Sequence, residues 1–184
     1  MLVGNDTGGV VTQLVAVHHP ERIGAMVLTS CDAFEHFPPP IIKPLIVASQ
    51  SKALFRAGAQ VFRIPLVRKR AYAGLAYSDL DALTREWVHN TQSDPAVAED
   101  LRVFTSSLKT EVTTEVARRL PEFDKPTLIA WSADDLFFEV EDGEKLARII
   151  PNARLEIIDG ARTFSMLDRP DRLADLMSTL AVRT

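Results

Sequence analysis

Cysteine is nearly absent. Cys31 alone cannot close a disulfide within the chain, and a single thiol fits a reducing compartment. No Cys/His group has zinc-site spacing, so no metal is expected. No apolar run approaches the roughly 20 residues of a membrane span, which argues against a membrane as partner. The first residues lack a basic stretch and a cleavage site, so no export signal is read and the expected location is cytoplasmic. Positive charge is not in excess. The 21 Lys and Arg against 25 Asp and Glu leave a net charge of −4, which argues against nucleic acid as a partner. Histidine is scarce as well, with four residues.

What is present is ordinary for a globular protein: 46% hydrophobic and 25% charged residues in 184, enough for one domain or for a core with an insertion. Leu2–Val3 reads as the stub of a strand and Gly9–His19 as a helix, with Val11, Leu14, Val15 and His18 near one face. His19-Pro20 ends it, because the residue before a proline avoids the α region. Ala25–Thr29 is a short apolar strand of the kind found in a parallel sheet covered on both faces. Strand, helix and strand make a βαβ unit.

Residues 35–120 break that rhythm. Pro38-Pro39-Pro40 leads into amphipathic stretches at Ile41–Phe62, Asp79–Thr91, Pro95–Leu108 and Thr110–Leu120, with no strand between them. This predicts a helical insertion, a cap or lid. Arg68-Lys69-Arg70 reads as its solvated face, and Phe55, Phe62, Trp87 and Phe104 as its core, bordering any pocket. Strands return at Pro126–Trp131 and Arg154–Ile158, with helices at Val140–Ile150 and Pro170–Val182. The predicted class is α/β, with a core from 1–34 and 121–184.

The densest motif is Gly4-Asn5-Asp6-Thr7-Gly8-Gly9. A short strand meets a polar residue fenced by glycines, and a helix follows. That is the layout of a nucleophile elbow with Asp6 in the nucleophile's place. Small residues are needed where strand and helix backbones nearly touch, and the nucleophile itself is held in a strained conformation. The bland alternative is an aspartate that caps the helix.

Four segments together resemble the α/β-hydrolase superfamily: this elbow, Pro20-Glu21-Arg22-Ile23 ahead of Ala25–Thr29, Trp131-Ser132-Ala133-Asp134-Asp135-Leu136-Phe137-Phe138, and Asp168-Arg169-Pro170. An aspartate in the elbow resembles its haloalkane dehalogenase and epoxide hydrolase branch. The resemblance implies a partial α/β-hydrolase fold, with parallel strands five to eight, flanking helices and a helical cap. Four earlier strands and an oxyanion loop would precede Met1, so the chain reads as N-terminally truncated. It further implies a small-molecule substrate or ligand, no cofactor, and hydrolysis of a haloalkane, epoxide or ester. An elbow strand with one unpaired edge would invite self-association.

The same resemblance distributes roles. Asp6 is the nucleophile, whose carboxylate would form an ester with the substrate. Asp135 is the acid that orients a base, with Asp32 as the alternative place for that acid and a helix-capping loop carboxylate as the bland reading of Asp135. Asn5 and Thr7 are structural or line the substrate site, and the Thr7 N–H would serve as an oxyanion donor. The base itself falls at Thr163, and threonine does not titrate near neutral pH. His18 and His19 end the first helix, His36 stands at the entrance to the insertion, and His89 lies within it beside Trp87. Cys31 reads as a buried small hydrophobe. Turnover is therefore expected to be impaired, and the alternatives are a non-catalytic small-molecule binder or an inactive truncated remnant.

Overall fold

The computed structural model describes residues 1–181. In chain order the elements are β1 (Leu2–Asp6), α1 (Thr7–His18), β2 (Met26–Cys31), α2 (Lys43–Ser49), α3 (Lys52–Val61), α4 (Pro65–Tyr72), α5 (Asp81–Ser93), α6 (Pro95–Ser106), α7 (Thr110–Arg119), β3 (Thr127–Ser132), α8 (Val140–Ile149), β4 (Ala153–Ile158), α9 (Ser165–Asp168) and α10 (Pro170–Ala181). They fall into two compact units. A sheet unit comprises Met1–Phe37, Gly74–Tyr77 and the chain from Thr110 onward, and a helical unit comprises Pro38–Ala73 and Ser78–Lys109.

The sheet is parallel throughout, in the order β1-β2-β3-β4. Met26 of β2 pairs with Leu2 on one side and Thr127 on the other, and Thr127 pairs with Ala153. Both interior strands are buried at all six positions. Their side chains alternate between two layers, as the pleat requires. Met26, Leu28, Ile129 and Trp131 pack with Ala16 and Val17 of α1, Val116 of α7 and Leu146 of α8. Val27, Leu128 and Ala130 pack with Leu173, Leu176 and Leu180 of α10. Each fully buried leucine contributes about 2 kcal/mol. The free side of β1 has no strand partner among the described residues.

The elbow is tight where the sequence predicts, though not at every glycine. A Cβ on Gly4 would lie 2.4 Å from Thr12 Oγ1 and 2.7 Å from the Gly8 carbonyl, and one on Gly9 would lie 2.2 Å from Cys31 Cβ. Gly8 faces open space. Helix α1 begins at Thr7, two residues earlier than the pattern suggested, because Asp6 turns the chain directly into it. Its buried face also differs. Val10, Gln13, Ala16 and Val17 are buried while Val11 is 47% exposed, since α1 is gripped between sheet and α7 rather than lying on one apolar surface.

In the helical unit the stretch expected over Ile41–Phe62 divides into α2 and α3, and Ser51 starts the second by accepting a hydrogen bond from the Leu54 N–H. Helix α4 has no counterpart among the expected stretches; its eight residues carry only a weak apolar pattern. Arg68 in it is buried, not solvated, because its guanidinium pairs with Asp81 at 2.6 Å and donates to the Phe62 carbonyl at 3.0 Å. Lys69 and Arg70 are exposed as expected. Of the four aromatic residues assigned to the core, only Phe55 is buried, and Trp87 and Phe104 are 44% and 43% exposed. Helix α7 groups with the sheet unit. Its Thr113 hydroxyl donates to the Phe34 carbonyl and Thr110 to that of Phe37. The expected extension of the last helix to Val182 lies outside the described residues.

Candidate active site

Because all four strands run the same way, their C-terminal ends share one edge of the sheet, where binding residues collect in such folds. Asp6 ends β1, Asp32 follows β2, Asp135 follows β3 and Thr163 follows β4. Asp6 has φ 53° and ψ −135°, a conformation essentially reserved for glycine and sustained here by the close-packed elbow.

Asp6 Oδ1 accepts from the Thr7 N–H at 2.7 Å and lies 3.3 Å from the Thr7 hydroxyl. The N–H expected to serve an oxyanion is thus engaged by Asp6 itself. Burial raises the Asp6 carboxyl above its ordinary value, the Thr7 bonds oppose that rise, and the charge of Asp135 adds to it. The Thr7 hydroxyl donates to Asp32 Oδ2 at 2.9 Å, so one threonine stands between two carboxyl groups. Asp32 is 2% exposed and pushed up to about 7, first by burial and then by the neighbouring Asp6 charge.

Asp135 and Thr163, paired by the resemblance, lie within hydrogen-bond reach of each other. The Thr163 hydroxyl donates to Asp135 Oδ1 at 2.9 Å. The same oxygen accepts from the N–H groups of Phe137 and Phe138 at 2.9 and 3.1 Å. Asp135 Oδ2 is buried and takes no hydrogen bond among the described residues. Asn5, read as structural or pocket-lining, has its amide turned into the scaffold: Nδ2 donates to the Thr163 carbonyl at 2.8 Å and to that of Ser30 at 3.2 Å. It ties the β4 loop to the elbow.

Asp168 was part of a recognised motif without a role. Its carboxylate accepts from the N–H groups of Arg162 and Tyr77, both at 2.9 Å, and so shapes the loop that carries Thr163. No sequence pattern shows this, because one partner lies 91 residues away. The histidines stand apart from these groups. His18 and His19 are exposed at the end of α1, and His89 is exposed on α5. His36 sits 2.8 Å from the nearly buried Asp142, which raises the histidine. Cys31 is fully buried, as expected. No cluster of metal-ligating residues occurs among the described residues, and no helix there is long and apolar enough to cross a membrane.

The chain matches the family model described as "alpha/beta hydrolase fold" over residues 1–170. The chain belongs to the alpha/beta hydrolase fold family. Among curated members it is 28% identical, over 92% of its length and 58% of the relative's, to a 2-hydroxy-6-oxo-6-phenylhexa-2,4-dienoate hydrolase of Comamonas testosteroni. It is 26% identical, over 94% and 56%, to a cis-3-alkyl-4-alkyloxetan-2-one decarboxylase of Shewanella oneidensis. The chain thus spans little more than half the length of these relatives. Among solved structures, the 2-hydroxy-6-oxo-6-phenylhexa-2,4-dienoate hydrolase of Rhodococcus sp. strain RHA1 has the same fold, with a TM-score of 0.69 at 18% identity over 99% of this chain and 63% of that one. The names of these relatives include neither a haloalkane dehalogenase nor an epoxide hydrolase.

Proposed function

We propose that this alpha/beta hydrolase fold protein captures a small carbon electrophile on Asp6 and does not carry the reaction through repeated cycles. The observation that carries the reading is the Thr163 hydroxyl on Asp135, 2.9 Å away, where an orienting acid would hold a titratable base. In the first step an Asp6 oxygen forms a bond to the electrophilic carbon while the carbon–leaving-group bond breaks. A halide departs as the anion; an opened epoxide takes a proton from water. The product is an Asp6 ester. Discharging that ester requires a water molecule to lose a proton as it attacks, and threonine cannot accept it.

The substrate class follows the elbow more than the relatives. An aspartate nucleophile suits haloalkanes, epoxides and β-lactones opened at the ring carbon bonded to the ester oxygen, where the lactone carboxylate departs and an Asp6 ester forms; the oxetan-2-one in one relative's name is such a β-lactone. The helical unit, inserted in the chain between β2 and β3, is read as the cap of the fold. Asn5 and Thr7 then act as supports of the site rather than as direct substrate ligands, which fits their hydrogen bonds.

Intact mass after incubation with a small reactive epoxide or β-lactone tests the proposal. One adduct per chain, on the peptide holding Asp6 and absent in Asp6→Asn, is expected. An unmodified protein that still binds the compound saturably would favour the second reading, a binder without chemistry, which Thr163 also accommodates.

A further inference from the structure

The helical unit holds a half-open cavity of about 170 Å³, and every residue lining it belongs to that unit. Aromatic side chains dominate the wall: Phe55, Phe62, Tyr72 and Trp87, closed by Leu45 and Leu101. Phe62 and Tyr72 meet edge to face with ring centroids 6.3 Å apart at 64°, and Tyr72 and Trp87 do the same at 6.2 Å and 69°. None of Asp6, Asp32, Asp135 or Thr163 contributes to it.

We propose that this cavity is a binding site for one neutral single-ring aromatic molecule, of the size of benzene or toluene. Three observations fix that class. The volume is close to the 150 Å³ known to admit benzene into an apolar protein cavity. No acidic, basic or histidine side chain lines it, so a charged ligand would lose its hydration with nothing in return. The edge-to-face run of Phe62, Tyr72 and Trp87 is the arrangement into which a further ring adds favourably, since ring edges are positive and faces negative. Trp87 and Leu101 are 44% and 40% exposed, unusually wet for wall residues, and a seated ring would dry them. The site does not depend on the chemistry assigned to Asp6.

Titration of the 184-residue protein with toluene, n-hexane and benzoate, followed by ligand-observed NMR and by the thermal midpoint, tests this. Saturable one-to-one binding of toluene is expected, with a raised midpoint and at least tenfold weaker binding of both other probes. Ala59 also lines the cavity. Ala59→Phe should fill it and weaken toluene at least tenfold while the circular dichroism stays unchanged. Should that variant not fold, Val88→Phe at another lining residue replaces it. Non-saturable toluene binding, equal affinity for hexane or benzoate, or full toluene affinity in a folded filled variant would overturn the proposal. So would light scattering that shows a dimer whose dissociation is needed for toluene to bind, because the occupant would then be a second copy.

Discussion

The two units of this protein hold themselves together by different means. In the sheet unit, β2 and β3 are buried at every position, and two apolar clusters fill the space on their two faces, with buried polar residues such as Thr29, Ser30, Thr127 and Ser132 in the strands themselves. In the helical unit, helices α2 to α6 bury one or two residues each, and most of these are polar: Ser49, Arg68, Thr84 and Thr105 beside Phe55 and Ala98. Those polar groups bond to nearby backbone. Thr84 and Thr105 donate to the carbonyls four residues earlier at 2.7 Å, and the Ser49 hydroxyl donates to the Ile46 carbonyl at 2.6 Å. Meanwhile Val47 and Leu66 are 68% and 75% exposed. A unit built this way is specified by local hydrogen bonds, worth about 1 kcal/mol each, rather than by dense apolar packing. It should tolerate change that the sheet unit does not.

Glycine gives the sharpest test of that contrast, because one substitution can be made in both units. Gly9→Ala would drive a methyl group into Cys31. It should destabilise the protein by about 3 kcal/mol or more, read from denaturant unfolding. A loss below about 1 kcal/mol would mean that the elbow is slack.

The next largest effect concerns charge within the sheet unit. Asp32 is raised from 3.8 to about 7, so between those values the folded state keeps a proton that the unfolded state releases. Stability should therefore fall as pH rises from about 4 to 7 and then level off. Asp32→Asn removes the buried charge and keeps an acceptor for Thr7. It should stabilise by about 2 kcal/mol at pH 8 and by almost nothing at pH 4. Thermal midpoints of both proteins across that range check the sign, and an equal shift at both ends would contradict the burial argument.

The free side of β1 predicts a smaller, concentration-dependent effect. Val3 there is 45% exposed and the strand has a partner on one side only, among the described residues. The protein should self-associate in size-exclusion chromatography with light scattering. A charge at that edge, as in Val3→Lys, should reduce it. A monodisperse monomer at all concentrations would remove this expectation.

Gly58→Ala closes the comparison with the smallest effect and the opposite sign. Gly58 lies in α3 with open space where a Cβ would go. The change should stabilise by about 1 kcal/mol, through helix propensity alone. A loss there would show that the helical unit is packed more closely than its exposure indicates.

Much of the sheet unit was legible in the sequence. Ala25–Thr29 and Pro126–Trp131 are continuous apolar runs because interior parallel strands are covered on both faces. Glycines at 4 and 9 announced the elbow because no other residue fits those contacts. What the sequence could not show were interactions across long separations. Asn5 bridging to the Thr163 carbonyl spans 158 residues, and the Thr7 link to Asp32 spans 25. Helix α4 escaped because its apolar pattern is weak and its central arginine looks solvated until Asp81 is placed beside it. The buried face of α1 was misjudged because a helix held on two sides has no single apolar stripe.

The central claim is that Asp6 reacts once and that Thr163 leaves the product in place. Its most direct test follows the protein with excess electrophile over hours, counting product released per chain while the Asp6 peptide is weighed. The account predicts one equivalent consumed, an adduct on Asp6 that persists, and neither in Asp6→Asn. Many equivalents of hydrolysed product per chain, lost in Asp6→Asn, would contradict it and require a base other than residue 163.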